Sequence, residues 1–184
     1  MKRTVWTFGL ISGGILSVVM LVSMRFQDAI GFDRAEVVGY TSMVLAFLLV
    51  FFGVRSYRET VGNGSLSFGR ALAVGALISF IACLCYVATW ELVFYKLSPD
   101  FLDKYQAYTI ERVKMSGSSQ AEIEKKIADA RKFTELYRNP LFNAAVTFLE
   151  PLPVALVFTL VSAGILRRKT RDGVPVLAAS GAAS

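Results

Sequence analysis

Histidine is absent from this chain, and with it go the usual general base and the commonest metal ligand. Charge is scarce as well. Asp, Glu, Lys and Arg make up 18% of the 184 residues, where a soluble domain carries about a quarter. Cysteine occurs only at Cys83 and Cys85. Residues two apart on a helix point to different sides, so these thiols cannot readily bond to each other and say nothing of the redox compartment. Neither cysteine has a base beside it, and no aspartate pair stands inside an apolar run, so the common hydrolytic constellations are missing. The expectation is a protein that is not an enzyme, with no cofactor and no metal.

What the chain has instead is apolar length. Hydrophobic residues make up 54% of it, and its mean hydropathy is +0.52. Four blocks, at about 5–24, 37–54, 71–95 and 141–166, approach the roughly 20 apolar residues that cross about 30 Å of hydrocarbon. The first follows Lys2 and Arg3 and runs uncharged from Val5 to Met24. A signal peptide would have a shorter apolar core of about 7–15 residues and a cleavage site of small residues, so this block reads as a retained span. The class is all-α: an integral membrane four-helix bundle, with the bilayer as its first partner.

Between the spans the chain changes character. Residues 25–36 read as a short polar loop, and Gly62-Asn63-Gly64-Ser65 as a turn. Residues 98–139 are rich in charge, with helical spacing at Phe101, Tyr105, Tyr108 and Arg112, and again at Ile123, Ile127, Ala130 and Phe133. Ser98-Pro99-Asp100 reads as a helix start with Ser98 as cap, and Ser119 with Glu122 as a capping box. This predicts an extramembrane helical hairpin between the third and fourth spans. Asn139-Pro140 then restarts the chain into the fourth. Beyond Arg171, residues 172–184 are expected to be a disordered tail.

Small residues recur at four-residue spacing in two spans: Gly9, Gly13 and Ser17 in the first, and Ala71, Gly75, Ser79 and Cys83 in the third. The plainest reading of both is a face for close helix packing. The net charge of +6 forms no basic stripe with interleaved aromatics, so nucleic acid is not an expected partner. The basic residues instead flank the spans. Lys2, Arg3, Arg55, Arg58, Arg70, Arg167, Arg168, Lys169 and Arg171 fall on one side, with only Glu59 and Asp172 against them. By the positive-inside rule both termini are cytoplasmic and the hairpin 98–139 is external.

The fourth block departs from local rules. Pro151 leaves the Thr147 carbonyl without its helical partner, Pro153 does the same to Leu149, and Glu150 adds a carboxylate. Such groups must be satisfied inside the protein, and a charge at mid-membrane costs about 2.5–3.5 kcal/mol on insertion scales. Glu91 is the other acid inside a span. Asn143, Thr147 and Glu150 share a helical face, so Glu91, Glu150, Thr147 and Asn143 form a candidate polar site, with Pro151 and Pro153 as the kink beside it. The plainer alternative is that Glu150 satisfies broken backbone while Glu91 snorkels outward.

Several blocks together carry a family likeness: GYTSMVLAFLLVFFGVRSYRE at 39–59, SLSFGRALAVGALIS at 65–79, WELVFYKLSPDFLDKY at 90–105, SGSSQAEIEKKIADARKFTELYRNPLFN at 116–143 and TFLEPLPVALVFTLVSAGILRRK at 147–169. The chain resembles the bacterial membrane proteins grouped as domain of unknown function 4199, over roughly Val5 to Arg168. The resemblance implies a four-span protein of the bacterial inner membrane with an external helical insert, and it supplies no catalytic residue. Two functions are expected. One is a non-enzymatic envelope protein whose hairpin binds a partner, an envelope protein or a second copy of the chain, through Phe101, Tyr105, Tyr108 and Phe133. The alternative is a small oligomeric transporter or channel with a proton- or cation-linked site at the intramembrane glutamates.

Overall fold

Residues 1–167 are described in the structure, a computed structural model. Apolar runs free of proline give α1 (Lys2–Arg25), α3 (Phe32–Thr60) and α4 (Phe68–Leu92), with the four-residue α2 (Gln27–Ile30) between the first two. A π-helical turn, Val93–Leu97, prolongs α4 and closes with the Ser98 N–H on the Val93 carbonyl at 2.8 Å. Then come α5 (Phe101–Lys114), α6 (Gln120–Tyr137), α7 (Pro140–Leu149) and α8 (Leu152–Leu166). Among the described residues four helical segments are long and apolar enough to cross a membrane: Lys2–Arg25, Phe32–Thr60, Phe68–Leu97 and Pro140–Leu166. The expected all-α four-span architecture is therefore the observed one. The predicted disordered tail, 172–184, lies outside the described residues.

Lipid tails are as apolar as leucine, so packing and interhelical hydrogen bonds must hold such a bundle together. Both are visible at the small-residue stripes. A methyl added at Gly9 would stand 2.8 Å from Ile81 Cβ, and one at Gly13 would stand 2.6 Å from Cys85 Cβ. One turn further along, the Thr89 hydroxyl donates to Ser17 at 2.7 Å. The stripe of α1 therefore seats the ridge Ile81, Cys85 and Thr89 of α4. On its other side α1 meets α3, where the Ser12 hydroxyl donates to the Ala46 carbonyl at 3.0 Å. The stripe of α4 faces α8, with Ser79 and Thr159 hydroxyls 3.2 Å apart. Phe47, Leu16, Met43, Ile78 and Val50 fill the centre.

Two expected boundaries are corrected. Residues 25–36 are mostly helix rather than loop. Only Phe26 and Gly31 interrupt α1, α2 and α3, and Gly31 supplies the positive φ of 78° that turns one helix into the next. The polar residues misled because Asp33, Arg34 and Glu36 are exposed while Gln27 is buried. Ser98 does not cap α5 either. It terminates the π turn, and Asp100 occupies the N-cap of α5 without a side-chain cap bond. The capping box at Ser119 and Glu122 is present, and Asn139 caps α7 by accepting from the Leu141 and Phe142 N–H groups at 3.0 and 3.3 Å.

The fourth span is broken at Glu150 and Pro151, between α7 and α8. This follows from the two absent proline donors. α8 begins afresh, with the Ala155 N–H on the Pro151 carbonyl at 3.0 Å. The halves share α4 but differ otherwise. α8 also packs on α3, whereas α7 packs on α6.

α5 and α6 pack on each other, and α5 is fastened over the end of the bundle where α2 lies. Phe32 at the start of α3 meets the rings of Phe101, Tyr105 and Tyr108, with centroids 5.9, 5.5 and 4.8 Å away. Phe101 also stands edge-on to Trp90 at 5.0 Å. Around the rings, Tyr108 donates to Asp33 at 2.6 Å, Arg112 lies 3.3 Å from the same carboxylate, and Lys104 reaches Asp28 at 3.3 Å. Phe133 turns to Tyr137 and Phe142. Of the aromatic face expected to receive a partner, Phe101 and Tyr108 thus pack on the chain's own bundle, while Tyr105 and Phe133 stay 40% exposed.

Candidate functional site

At the end of the bundle where α7 lies, a half-open cavity of about 400 Å³ is left. Its walls come from α1, α3, α4 and α7, and α5 and α6 roof it. Five of the seven tyrosines line it: Tyr40, Tyr86, Tyr105, Tyr108 and Tyr137, with Trp90 beside them. Gly39 widens it, since a methyl placed there would find no atom within 4 Å. The charged groups in the wall are Glu36, Arg112 and Glu150.

Glu150 reaches the cavity because the chain breaks beside it. It ends α7 as the C-cap residue, and the Tyr86 hydroxyl of α4 donates to its Oε2 at 3.0 Å. It stands three residues from the midpoint of the segment Pro140–Leu166, which is ~4–5 Å along a helix. Its side chain is exposed rather than packed into the core, and the space it borders is the cavity. The carboxylate thus pairs with a tyrosine hydroxyl rather than with a carbonyl freed by the prolines.

Asn143 and Thr147 lie behind this wall. Both are buried, at 0% and 2% exposure. Asn143 Oδ1 accepts from the Trp90 indole at 2.9 Å and from the Thr147 hydroxyl at 3.3 Å. Since Thr147 points its hydrogen at Asn143, Tyr137 is the donor in the 3.2 Å contact between their hydroxyls. The chain Tyr137, Thr147, Asn143, Trp90 ties α6, α7 and α4 into one unit, and within it Asn143 Nδ2 has no partner among the described residues. Pro151 is fully buried at the joint, and Pro153 is exposed.

Glu91 takes no part in this wall. It is half-buried on α4, and its Oε1 has no partner among the described residues. The second carboxylate of the cavity is Glu36, which sequence reasoning had assigned to a loop. Tyr40 and Tyr86 were also missed. No spacing links α3 to α4 to the hairpin, so only the assembled bundle brings these rings together.

A bundle of four helices long and apolar enough to cross a membrane, one of them broken at a carboxylate that borders a roofed cavity, marks the chain as a membrane protein. The chain belongs to the family described as "Protein of unknown function (DUF4199)", whose model matches residues 7–168. No curated protein and no solved structure matches it significantly.

Proposed function

We propose that the chain is a non-enzymatic, multi-pass protein of the bacterial inner membrane that binds a small molecule in the cavity at the hairpin end of its bundle. The observation that carries this reading is the half-open space of about 400 Å³ that reaches the carboxylate of Glu150. Ligand sites are mostly apolar clefts of about 300–1,000 Å³ with a few convergent polar groups, and ionisable residues inside spans mark functional sites more often than not. The flanking basic residues support cytoplasmic termini and an external hairpin, which would roof the site from the periplasmic side. Absence of histidine supports a binding role over catalysis.

The test uses Trp90 as reporter in a Trp6→Phe background, with the protein in nanodiscs. Titration with a panel of cationic, anionic and neutral amphiphiles should give a saturable fluorescence change for at least one. Gly39→Phe should abolish it, because the new ring has open space ahead of it. A wholly linear response, or one unchanged in Gly39→Phe, would overturn the reading. The broken span beside Glu150 also favours a transport variant of the same idea. Ion or ligand flux in proteoliposomes that falls in Glu150→Gln would support transport; equal flux in both proteins would leave binding alone.

A further inference from the structure

We infer that the cavity selects an amphipathic organic cation, an ammonium or phosphonium group on an apolar body. This rests on the binding role proposed for the cavity and adds the chemical class of its occupant. The sign of the site comes first. Of the three charged side chains in the wall, Arg112 is already committed, 3.3 Å from Asp33 and donating to the Tyr108 hydroxyl at 3.2 Å. Among the described residues no basic group stands within ion-pair distance of Glu36 or Glu150. The only hydrogen bond to the Glu150 carboxylate among those residues is from a neutral hydroxyl. Two uncompensated acids therefore set the local potential.

The rest of the wall suits a soft cation rather than a metal ion. Tyrosine and tryptophan faces attract cations within about 6 Å of the ring, most strongly when water is excluded. Tyr40, Tyr86, Trp90, Tyr105 and Tyr108 all line the cavity, and the Tyr86 ring is held beside Glu150 by its hydroxyl. Met20, Met24 and Val146 supply apolar surface for the body of the ligand. A hydrated inorganic cation would need several oxygen ligands at fixed distance, and no group of three His, Cys, Asp or Glu comes together among the described residues.

Two ions of one shape and opposite charge test this. Tetraphenylphosphonium should saturate the Trp90 signal in the Trp6→Phe protein, and tetraphenylborate should not. Glu150→Gln should weaken phosphonium binding about tenfold or more, as expected when the charge partner of a desolvated cation is removed. Glu36→Gln should weaken it less and serves as a second variant if the first folds poorly. Equal binding of the two ions, or unchanged affinity in both variants, overturns the cation inference while the binding cavity stands. Saturation by a neutral amphiphile alone has the same consequence. No saturable ligand of any charge sinks the cavity reading as well.

Discussion

Asn143 is wholly enclosed, and its carbonyl oxygen receives two hydrogens while its amide nitrogen has no acceptor among the described residues. Removing one of those donors leaves Thr147 to hold the oxygen alone. Trp90→Phe should therefore destabilise the protein by about 1–3 kcal/mol, read as a lower midpoint of thermal unfolding in detergent; an unchanged midpoint would mean the indole bond contributes nothing. Gly13 makes a second case. Gly13→Ala drives a methyl to 2.6 Å from Cys85 Cβ and 3.3 Å from the Ala82 backbone, an overpacking that costs about 1–3 kcal/mol. Gly14→Ala, whose new methyl meets nothing within 4 Å, should be neutral or stabilising by up to about 1 kcal/mol. The pair can be compared in one detergent, and equal effects would refute close α1–α4 contact. The glycine stripes were legible from spacing alone, because helix approach depends on side-chain size at every fourth residue.

At the scale of the elements, the hairpin is held by a clasp of rings around Phe32 and by charges at its rim. Each aromatic pair adds about 0.5–1.5 kcal/mol beyond burial, so Phe32→Ala should loosen α5 from the bundle. Limited proteolysis at the exposed 115–117 turn should quicken several-fold; cleavage at the wild-type rate would show that the clasp does not hold the hairpin. The rim gives a pH signature. Lys104 has a raised pKa, first through its hydrogen bond to Asp100 and then through that to Asp28. Asp100 has a lowered one, first through Lys104. A raised lysine contributes below its unfolded pKa and loses that contribution as pH rises through the folded value. A depressed aspartate contributes above its unfolded pKa and loses it as pH falls through the folded one. Asp100 and Lys104 both belong to the start of α5, and only the Lys104–Asp28 contact joins α5 to the bundle. Docking should thus weaken as pH rises through the folded value of Lys104, modestly, since these groups lie in water, while the contribution that Asp100 loses in acid falls on the start of α5 itself. The caps at Ser119 and Asn139 could be read beforehand because they are local chemistry. The start of α5 could not, because the π turn of Val93–Leu97 depends on how Phe94 and Val93 bury against Leu102 and Trp90.

Seen whole, the molecule is a tight lower bundle of α1, α3, α4 and α8 under a wider end where α7, α5 and α6 enclose space. Span number and order followed from apolar length, and the break at Pro151 from the two prolines that lack a helical donor. The cavity did not, because its tyrosines lie between positions 40 and 137 and converge only once four helices are packed. Glu91 and Glu150 looked like partners by depth along their helices, yet depth says nothing about azimuth, and it is Glu36 that shares the wall with Glu150. Pro151→Ala with Pro153→Ala should restore the missing donors and straighten the fourth span. Spin labels at the exposed positions Val37 and Leu141 should then show a shifted and narrower distance distribution, and one identical to wild type would rule out the prolines as the cause of the wide end. The interruption at Glu150 has a mechanical meaning too. Both halves hold to α4, α7 through the bond between Asn143 and Trp90 and α8 through the contact between Thr159 and Ser79, so one helix carries the fourth span at two levels on either side of its break.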